Sequence, residues 1–231
     1  MSAPSPVVPG LWRIELGVAN AYLLESADGP ILIDTGTPGS EAAILRALAA
    51  RRHAPEAVRH IVVTHHHPDH AGALAALLDA TGAEAYMHPL DAAEVRVGSG
   101  FRPYRPASGI LNWALERVFI RPTPRRYTPA EVAREVADGD VLPGGLTAVH
   151  APGHSAGQIA LLWPEQGGVL IAADACSNLP VLTLSIIYED LDVGRETLRR
   201  LGGLDFDAAV FGHGKPMVGR ADERFRKAFG A

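Results

Sequence analysis

The sequence is poor in cysteine, since Cys176 is the single one among 231 residues. A framework of intramolecular disulfides is therefore excluded, and a reducing compartment is expected. No apolar stretch approaches the roughly 20 residues that span a bilayer. The first ten residues, MSAPSPVVPG, have neither the basic region nor the apolar run of a signal peptide. These absences predict a cytoplasmic protein with no membrane partner.

The chain also lacks a strong excess of either charge. It has 21 Lys and Arg against 26 Asp and Glu, for a formal net charge of -5. A weakly acidic surface offers no electrostatic footprint for nucleic acid, so we expect a small-molecule substrate and no nucleic-acid partner. No Ser/Gly-rich linker divides the sequence, which predicts one domain over residues 1–231. A homo-oligomer stays open.

Strand and helix patterns alternate along most of the chain. Short β-branched or apolar runs bounded by turn residues predict strands, and Asp28-Gly29 predicts a hairpin between two of them. Alanine- and leucine-rich stretches predict helices, the first with Ser40 as its N-cap. The predicted strands cover residues 11–16, 21–25, 30–34, 60–64, 83–87, 146–149, 158–163, 169–172 and 208–211. The predicted helices cover residues 40–52, 71–81, 89–97, 193–201 and 220–229. This alternation indicates a layered domain of strands and helices.

Residues 98–137 interrupt the alternation. The segment is rich in Pro, Gly and Arg, and a helix is predicted only near residues 110–119. A long irregular segment in a compact domain is usually functional or mobile. We therefore predict an insertion at 98–137 that covers the active site.

Seven residues have the chemistry of metal ligands: His65, His67, Asp69, His70, His154, Asp174 and His213. Imidazole nitrogen and carboxylate oxygen suit zinc, with iron or manganese as alternatives. In an extended loop the residues at i, i+2 and i+4 project to one side, which brings His65, His67 and Asp69 together and turns His66 away. Each of the last three candidates lies in a loop next to a predicted strand: His154 between two strands, and Asp174 and His213 just after one. All seven are therefore expected at one sheet edge.

The order and spacing of these residues resemble the metallo-β-lactamase-fold hydrolase superfamily, whose signature is His-x-His-x-Asp-His followed by separated His, Asp and His. The resemblance runs from Trp12 to His213 and includes Asp34-Thr35-Gly36. It implies an α+β fold, a four-layer αβ/βα sandwich. It also implies two divalent metal ions between the two sheets, zinc foremost.

The resemblance assigns the candidate ligands by position. One ion would take His65, His67 and His154, the other would take Asp69, His70 and His213, and Asp174 would bridge the two. Asp34 would lie behind the site and orient a ligand histidine or the loop backbone. The implied catalytic residues are Asp69, His70 and Asp174, with Asp69 able to relay a proton.

The implied function is a metal-dependent hydrolase, in which a hydroxide bridging two zinc ions attacks an ester, thioester or lactone. Asp174 argues against a true β-lactamase, since those enzymes usually carry Cys or Ser at that position. The 18 residues after His213 are too few for the glutathione-binding region of glyoxalase II enzymes. Ser177 stands where acyl-homoserine lactonases carry tyrosine, which weakens a lactonase assignment.

The substrate pocket is predicted to include Phe101, Tyr104, Ser177 and Tyr188. A hydrophobic acyl pocket is one interpretation of the aromatic residues. Packing of the insertion onto the body, or a dimer contact, is the other.

Two further functions stay open. One is a persulfide dioxygenase-like enzyme with a single iron, held by His65, His154 and Asp174. The other is a non-catalytic scaffold with the same fold. Superfamily subunits that act as non-catalytic scaffolds have typically lost metal ligands, whereas this chain keeps all seven.

Overall fold

The predicted strands pair into two mixed sheets in the computed structural model, which describes residues 3–230. The first eight strands are β1 Ser5–Val8, β2 Leu11–Glu15, β3 Asn20–Ser26, β4 Gly29–Ile33, β5 His60–Val62, β6 Glu84–Met87, β7 Arg105–Pro106 and β8 Arg134–Glu135. The next eight are β9 Thr147–His150, β10 Ile159–Trp163, β11 Val169–Ile171, β12 Ser177–Asn178, β13 Leu182–Thr183, β14 Ile187–Tyr188, β15 Ala208–Val210 and β16 Met217–Val218.

The helices lie between and after these strands. They are α1 Glu41–Ala50, α2 Pro68–Ala71, α3 Leu74–Thr81, α4 Pro89–Arg96, α5 Ile110–Leu115, α6 Leu191–Gly202 and α7 Ala221–Phe229. A π-helical turn, Glu116–Ile120, continues α5. No helix among residues 3–230 is long and apolar enough to cross a membrane.

The larger sheet has seven strands in the order β1-β2-β3-β4-β5-β6-β8, antiparallel up to β4 and parallel from β4 onwards. The smaller sheet has five, in the order β16-β15-β11-β10-β9. Two short pairs, β12 with β13 and β7 with β14, lie outside both sheets.

Three hydrophobic cores separate four layers. Successive residues of a strand face opposite sides, so in β4 Leu32 packs towards α1 and α3 while Ile31 and Ile33 pack towards the smaller sheet. On the far side of the smaller sheet, Leu198 of α6 and Phe225 of α7 close the third core. The four-layer αβ/βα sandwich implied by the resemblance is confirmed.

Two local predictions need correction. Ser40 precedes α1, but its side chain makes no capping hydrogen bond; its hydroxyl lies 3.1 Å from that of Thr37 instead. The helix predicted over 71–81 begins earlier, as the short helix α2 at Pro68, because proline is well suited to a first helical position. Asp69 is therefore helical, and the extended i, i+2, i+4 geometry holds only as far as His67.

The end of the predicted insertion belongs to the main body. Arg134–Glu135 pairs in parallel with β6 and forms an edge of the larger sheet. The irregular part of the segment is thus shorter than 98–137. Its helix α5 and the following π turn expose apolar side chains, with Trp113 at 53% and Phe119 at 58% exposure. These two aromatic residues do not fix the insertion to the body.

Phe225 provides a test of the third core. Its ring is fully buried and lies 5.3–6.2 Å from the rings of Phe206, Phe211 and Phe229. We expect Phe225→Ala to lower the free energy of unfolding by about 3–5 kcal/mol, measured by urea denaturation. Phe119→Ala is the exposed control, with a change below about 0.5 kcal/mol. Equal effects of the two substitutions would contradict this layer assignment.

Candidate metal centre

The seven candidate ligands lie in loops that leave the strand ends at one edge of the sandwich. The loop His65–His70 follows β5 of the larger sheet, after two connecting residues. His154 lies between β9 and β10, Asp174 follows β11, and His213 follows β15, all in the smaller sheet. The site is therefore built from both sheets.

The backbone is strained at two strand ends, after β4 and after β11. Asp34 has φ 62° and Ala173, directly before Asp174, has φ 48°. Residues with a Cβ rarely adopt this left-handed conformation, and such strain clusters at functional sites. It is offset by hydrogen bonds, since Asp34 accepts from the backbone N–H of Thr64 at 2.8 Å.

Four overlapping sets of possible ligands come together among the described residues. Two of them match the predicted ion sites, and we call these the first and second group. In the first group, one donor atom each of His65, His67 and His154 lies within 4.8 Å of the others. In the second group the same holds for Asp69, His70 and His213.

Distances within the groups are short. In the first group, His154 Nε2 and His67 Nδ1 are 2.9 Å apart. In the second group, Asp69 Oδ2 lies 3.3 Å from His213 Nε2 and 3.7 Å from His70 Nε2.

Asp174 lies between the two groups. Its Oδ1 is 3.5 Å from His70 Nε2, and its Oδ2 is 3.0 Å from His213 Nε2. The same Oδ2 is 3.5 Å from His154 Nε2 of the first group. One carboxylate therefore faces histidines of both groups.

The chemistry of the donor set fits a metal ion. Among residues 3–230, His65 Nε2, His70 Nε2 and Asp174 Oδ1 are buried without a hydrogen-bond partner, and these three side chains lie together. Leaving such an atom unpaired costs about 1–3 kcal/mol, so three at one place is unfavourable unless another partner binds there. Imidazole nitrogens and carboxylate oxygens are the donors that zinc takes in proteins. The residues present fit divalent metal ions.

Comparison with known proteins identifies the family. The model of the Metallo-beta-lactamase superfamily matches residues 14–213. The chain belongs to this superfamily. The fold also matches a solved structure, that of a metallo-beta-lactamase from Cronobacter sakazakii mutated in its HARLDQ motif. The TM-score is 0.73, and the identity is 23% over 93% of this chain and 81% of that one. At that identity the likeness concerns the fold alone.

Two curated relatives cover most of this chain. The probable metallo-hydrolase YflN of Bacillus subtilis (strain 168) is 26% identical over 230 residues, 91% of this chain and 86% of that protein. The 2,4-dinitroanisole O-demethylase subunit alpha of Nocardioides sp. (strain JS1661) is 31% identical over 211 residues, 90% of this chain and 56% of that protein.

Two of the candidate histidines are oriented through the ring nitrogen that faces away from the site. His154 Nδ1 lies 2.9 Å from the carbonyl oxygen of Ile187, which leaves Nε2 directed at the site. His70 Nδ1 lies 2.9 Å from Asp34 Oδ2. Metal-binding histidines of proteins are usually held in this way. Asp34 thus sits behind the site and contacts both a candidate ligand and the loop backbone at Thr64.

The loop that carries His213 is tied to the larger sheet. Asn20 donates its side-chain N–H to the carbonyl oxygens of Phe211 at 3.0 Å and Gly214 at 2.9 Å. Tyr22 donates its hydroxyl to the Phe211 carbonyl at 2.7 Å. Sequence reasoning missed these two residues, because their partners lie about 190 positions away and no local pattern marks them.

The insertion covers one side of the site. The ring of Phe101 lies 4.7 Å from that of His67, and the ring of Tyr104 follows at 5.6 Å from Phe101. The guanidinium of Arg125 lies over both aromatic rings and donates to the Tyr104 hydroxyl at 3.1 Å. Of the predicted pocket residues, Phe101 and Tyr104 are therefore beside the site.

The other two predicted pocket residues lie deeper. Tyr188 is 1% exposed, and its hydroxyl donates to the Ala175 carbonyl at 2.7 Å. Its ring is 5.9 Å from that of His154, so it supports this histidine from behind and offers a substrate no surface. Ser177 is 9% exposed and pairs with Thr183 between β12 and β13. Ile187 and Tyr188 therefore pack inward, whereas Leu179 and Val181, earlier in the same apolar run, are exposed.

The two groups differ in protonation. Burial lowers the pKa of His65 and of His67 well below the ordinary histidine value, and neighbouring imidazoles lower it further. Burial also acts to lower the pKa of His70, but nearby carboxylates, Asp174 foremost, outweigh it and raise that pKa to about 9. The same balance raises the pKa of His213 well above its usual range. The first group is thus neutral at pH 7, while the second holds protons.

Metal binding should therefore release protons from the second group. A ligand histidine must be neutral, so a proton on His70 or His213 competes with the metal, and affinity should rise as pH increases from 7 to 9. Calorimetric titration of Zn²⁺ in buffers of different ionisation enthalpy measures the release. His213→Gln should release about one proton fewer at the same pH. Affinity that does not change over this range would contradict the assigned protonation.

Gly212 offers a steric test of the centre. A Cβ at this position would overlap Asp174 Oδ1 and lie 2.7 Å from Cε1 of His70. We expect Gly212→Ala to displace Asp174 and to weaken metal binding at least tenfold, measured by chelator competition. Gly203→Ala is the control, because its Cβ would meet its nearest atom, the Arg200 carbonyl oxygen, at 3.3 Å. Unchanged metal affinity in Gly212→Ala would show that Asp174 is not needed in its present position.

Proposed function

We propose that the protein is a hydrolase that uses two divalent metal ions, zinc foremost, to cleave an ester, thioester or lactone bond. The first group would hold one ion and the second group the other, with Asp174 contacting both. Membership of the superfamily and a relative named as a probable metallo-hydrolase support this proposal.

The observation that carries the proposal is the position of the Asp174 carboxylate. It lies within 3.5 Å of ring nitrogens from His70, His154 and His213. Its Oδ2 faces His213 of the second group and His154 of the first, which is the arrangement that a bridging ligand needs. A single-metal site would use only one of these groups.

Two divalent ions, when bound, supply Lewis acidity towards a carbonyl oxygen and lower the pKa of water, so no separate strong base is needed. The chain itself supplies a carboxylate that stays charged. The Asp69 side chain is 21% exposed, faces His213, and has its pKa held far below the usual range by His70 and His213 despite the opposing effect of burial. It stays ionised near pH 7, as a ligand of the second ion must.

The surroundings of the centre favour a substrate with an apolar or aromatic acyl group. Phe101 covers His67 and keeps water from that side, while Tyr104 and Arg125 form the outer part of the same wall. An aromatic wall with a guanidinium at its rim suits an apolar acyl chain or aryl group that bears a negative or strongly polar substituent.

The proposal predicts that Asp174→Ala and His70→Ala lower kcat/KM on the best substrate at least about a hundredfold. Substitution of a residue that only supports a metal ligand already lowers metal affinity or activity 10–100-fold, so loss of a ligand itself should have a larger effect. Asp28→Ala, in an exposed hairpin turn, is the control and should keep wild-type rates. Retained activity in either site variant would overturn this mechanism.

A panel of candidate substrates, tested with protein of known metal content, identifies the substrate class. Aryl esters, thioesters and lactones of increasing acyl length form its core. A nitroaryl methyl ether is added because one relative is named as a 2,4-dinitroanisole O-demethylase subunit. Hydrolysis of one carbonyl class that is lost after chelation and restored by Zn²⁺ is the expected result. No carbonyl turnover with two bound zinc ions would contradict the proposed reaction.

A further inference from the structure

A second buried carboxylate, besides Asp34, lies behind the site. Asp91 is in the first turn of α4 and is fully buried. Burial acts to raise its pKa, but hydrogen bonds and nearby cations hold the pKa well below the usual range. A charge in the interior is tolerated only where it is paired and hydrogen-bonded, so its partners define its role.

The partners of Asp91 come from three separate segments. Its Oδ2 accepts from the backbone N–H of His66 at 3.1 Å and from the Ser155 hydroxyl at 2.5 Å. Its Oδ1 accepts from the backbone N–H of Gly157 at 2.9 Å and from the Arg102 guanidinium. One side chain thus joins the His65–His70 loop, the His154 loop and the start of the insertion.

These contacts are specific to one of the two groups. His66 stands between His65 and His67, and Ser155 follows His154, so each ligand of the first group is next to a residue that bonds Asp91. Asp34 contacts His70 of the second group directly, and it reaches His65 of the first group through Thr64. Asp91 therefore bonds residues beside the ligands of the first group, whereas Asp34 bears on both groups.

We propose that Asp91 is a positioning residue that sets the metal affinity of the first group. The inference rests on the proposed metal centre but not on its catalytic reaction. By fixing His66 and Ser155, Asp91 holds the two loops at the separation at which His67 and His154 meet.

Arg102 extends this link to the cover of the site. Its guanidinium pairs with Asp91 and donates to Glu189 Oε1 at 2.9 Å, while Glu189 Oε2 accepts from the backbone N–H of Ala156 at 2.8 Å. Arg102 follows Phe101 directly, so the residue that neutralises Asp91 also holds the aromatic ring against His67.

The experiment is a titration of metal-free protein with Co²⁺, followed by its visible absorption and by chelator competition. Asp91→Asn keeps the size of the side chain and removes its charge. We expect the Co²⁺ equivalent bound by the first group to weaken 10–100-fold and the other to stay within about threefold of wild type. His154→Ala, which removes a ligand of the first group, identifies the affected equivalent.

Controls separate positioning from folding. Glu94→Gln, on the same helix and 3.5 Å from Arg102, should leave both affinities unchanged. Ser155→Ala removes a single hydrogen bond to Asp91 and replaces Asp91→Asn in the test if that variant does not fold. It should weaken binding of the same Co²⁺ equivalent, the one held by the first group. The melting temperature of each metal-free variant is measured alongside.

The outcomes are distinct. Wild-type affinities in both Asp91→Asn and Ser155→Ala would overturn the inference. It would also be overturned if both equivalents weakened together with a lower melting temperature of the metal-free protein. A wild-type chain that bound no metal would overturn the inference and the proposed function together. Selective weakening in a protein without hydrolytic activity would overturn only the proposed function.

Discussion

Two ring nitrogens, from His65 and His70, lie buried without a hydrogen-bond partner among the described residues, together with one oxygen of Asp174. Polar atoms in the interior are normally paired, and each unpaired atom costs about 1–3 kcal/mol of folding free energy. Bound divalent ions would offset this cost, because each of these atoms would then bond a metal directly. The surrounding loops are arranged around that requirement.

Supporting contacts come from both sheets and from the insertion. The larger sheet contributes Asp34, which contacts His70 and Thr64, and it also holds the His213 loop through Asn20 and Tyr22. Asp91 joins the His65–His70 loop to the His154 loop. The centre therefore depends on contacts between layers, and a change in the packing of the two sheets would shift the positions of the candidate ligands.

Much of the fold follows from local sequence patterns. Nine of the twelve strands in the two sheets were predictable because their apolar runs are short and bounded by turns. The edge strands β1, β8 and β16 were not predicted. The candidate ligands were predictable because four of them lie in one compact motif, His65 to His70, whose side chains are typical metal ligands. The start of α2 was misjudged because His67-Pro68 was interpreted as extended chain, whereas proline also opens helices.

The supporting residues were not predictable in the same way. Asp91 looks like any acidic residue in the first turn of a helix, a position that favours a carboxylate in any case. The contacts of Tyr22 join distant parts of the chain. For Tyr188, an apolar run has the same pattern whether it lines a pocket or packs inward, and only its buried hydroxyl distinguishes the two.

The most direct test is a crystal structure of the zinc-loaded protein with anomalous diffraction at the zinc edge. The account predicts two anomalous peaks, one among His65, His67 and His154 and one among Asp69, His70 and His213, with Asp174 contacting both. A single peak, or one iron held by His65, His154 and Asp174, would contradict the dinuclear centre.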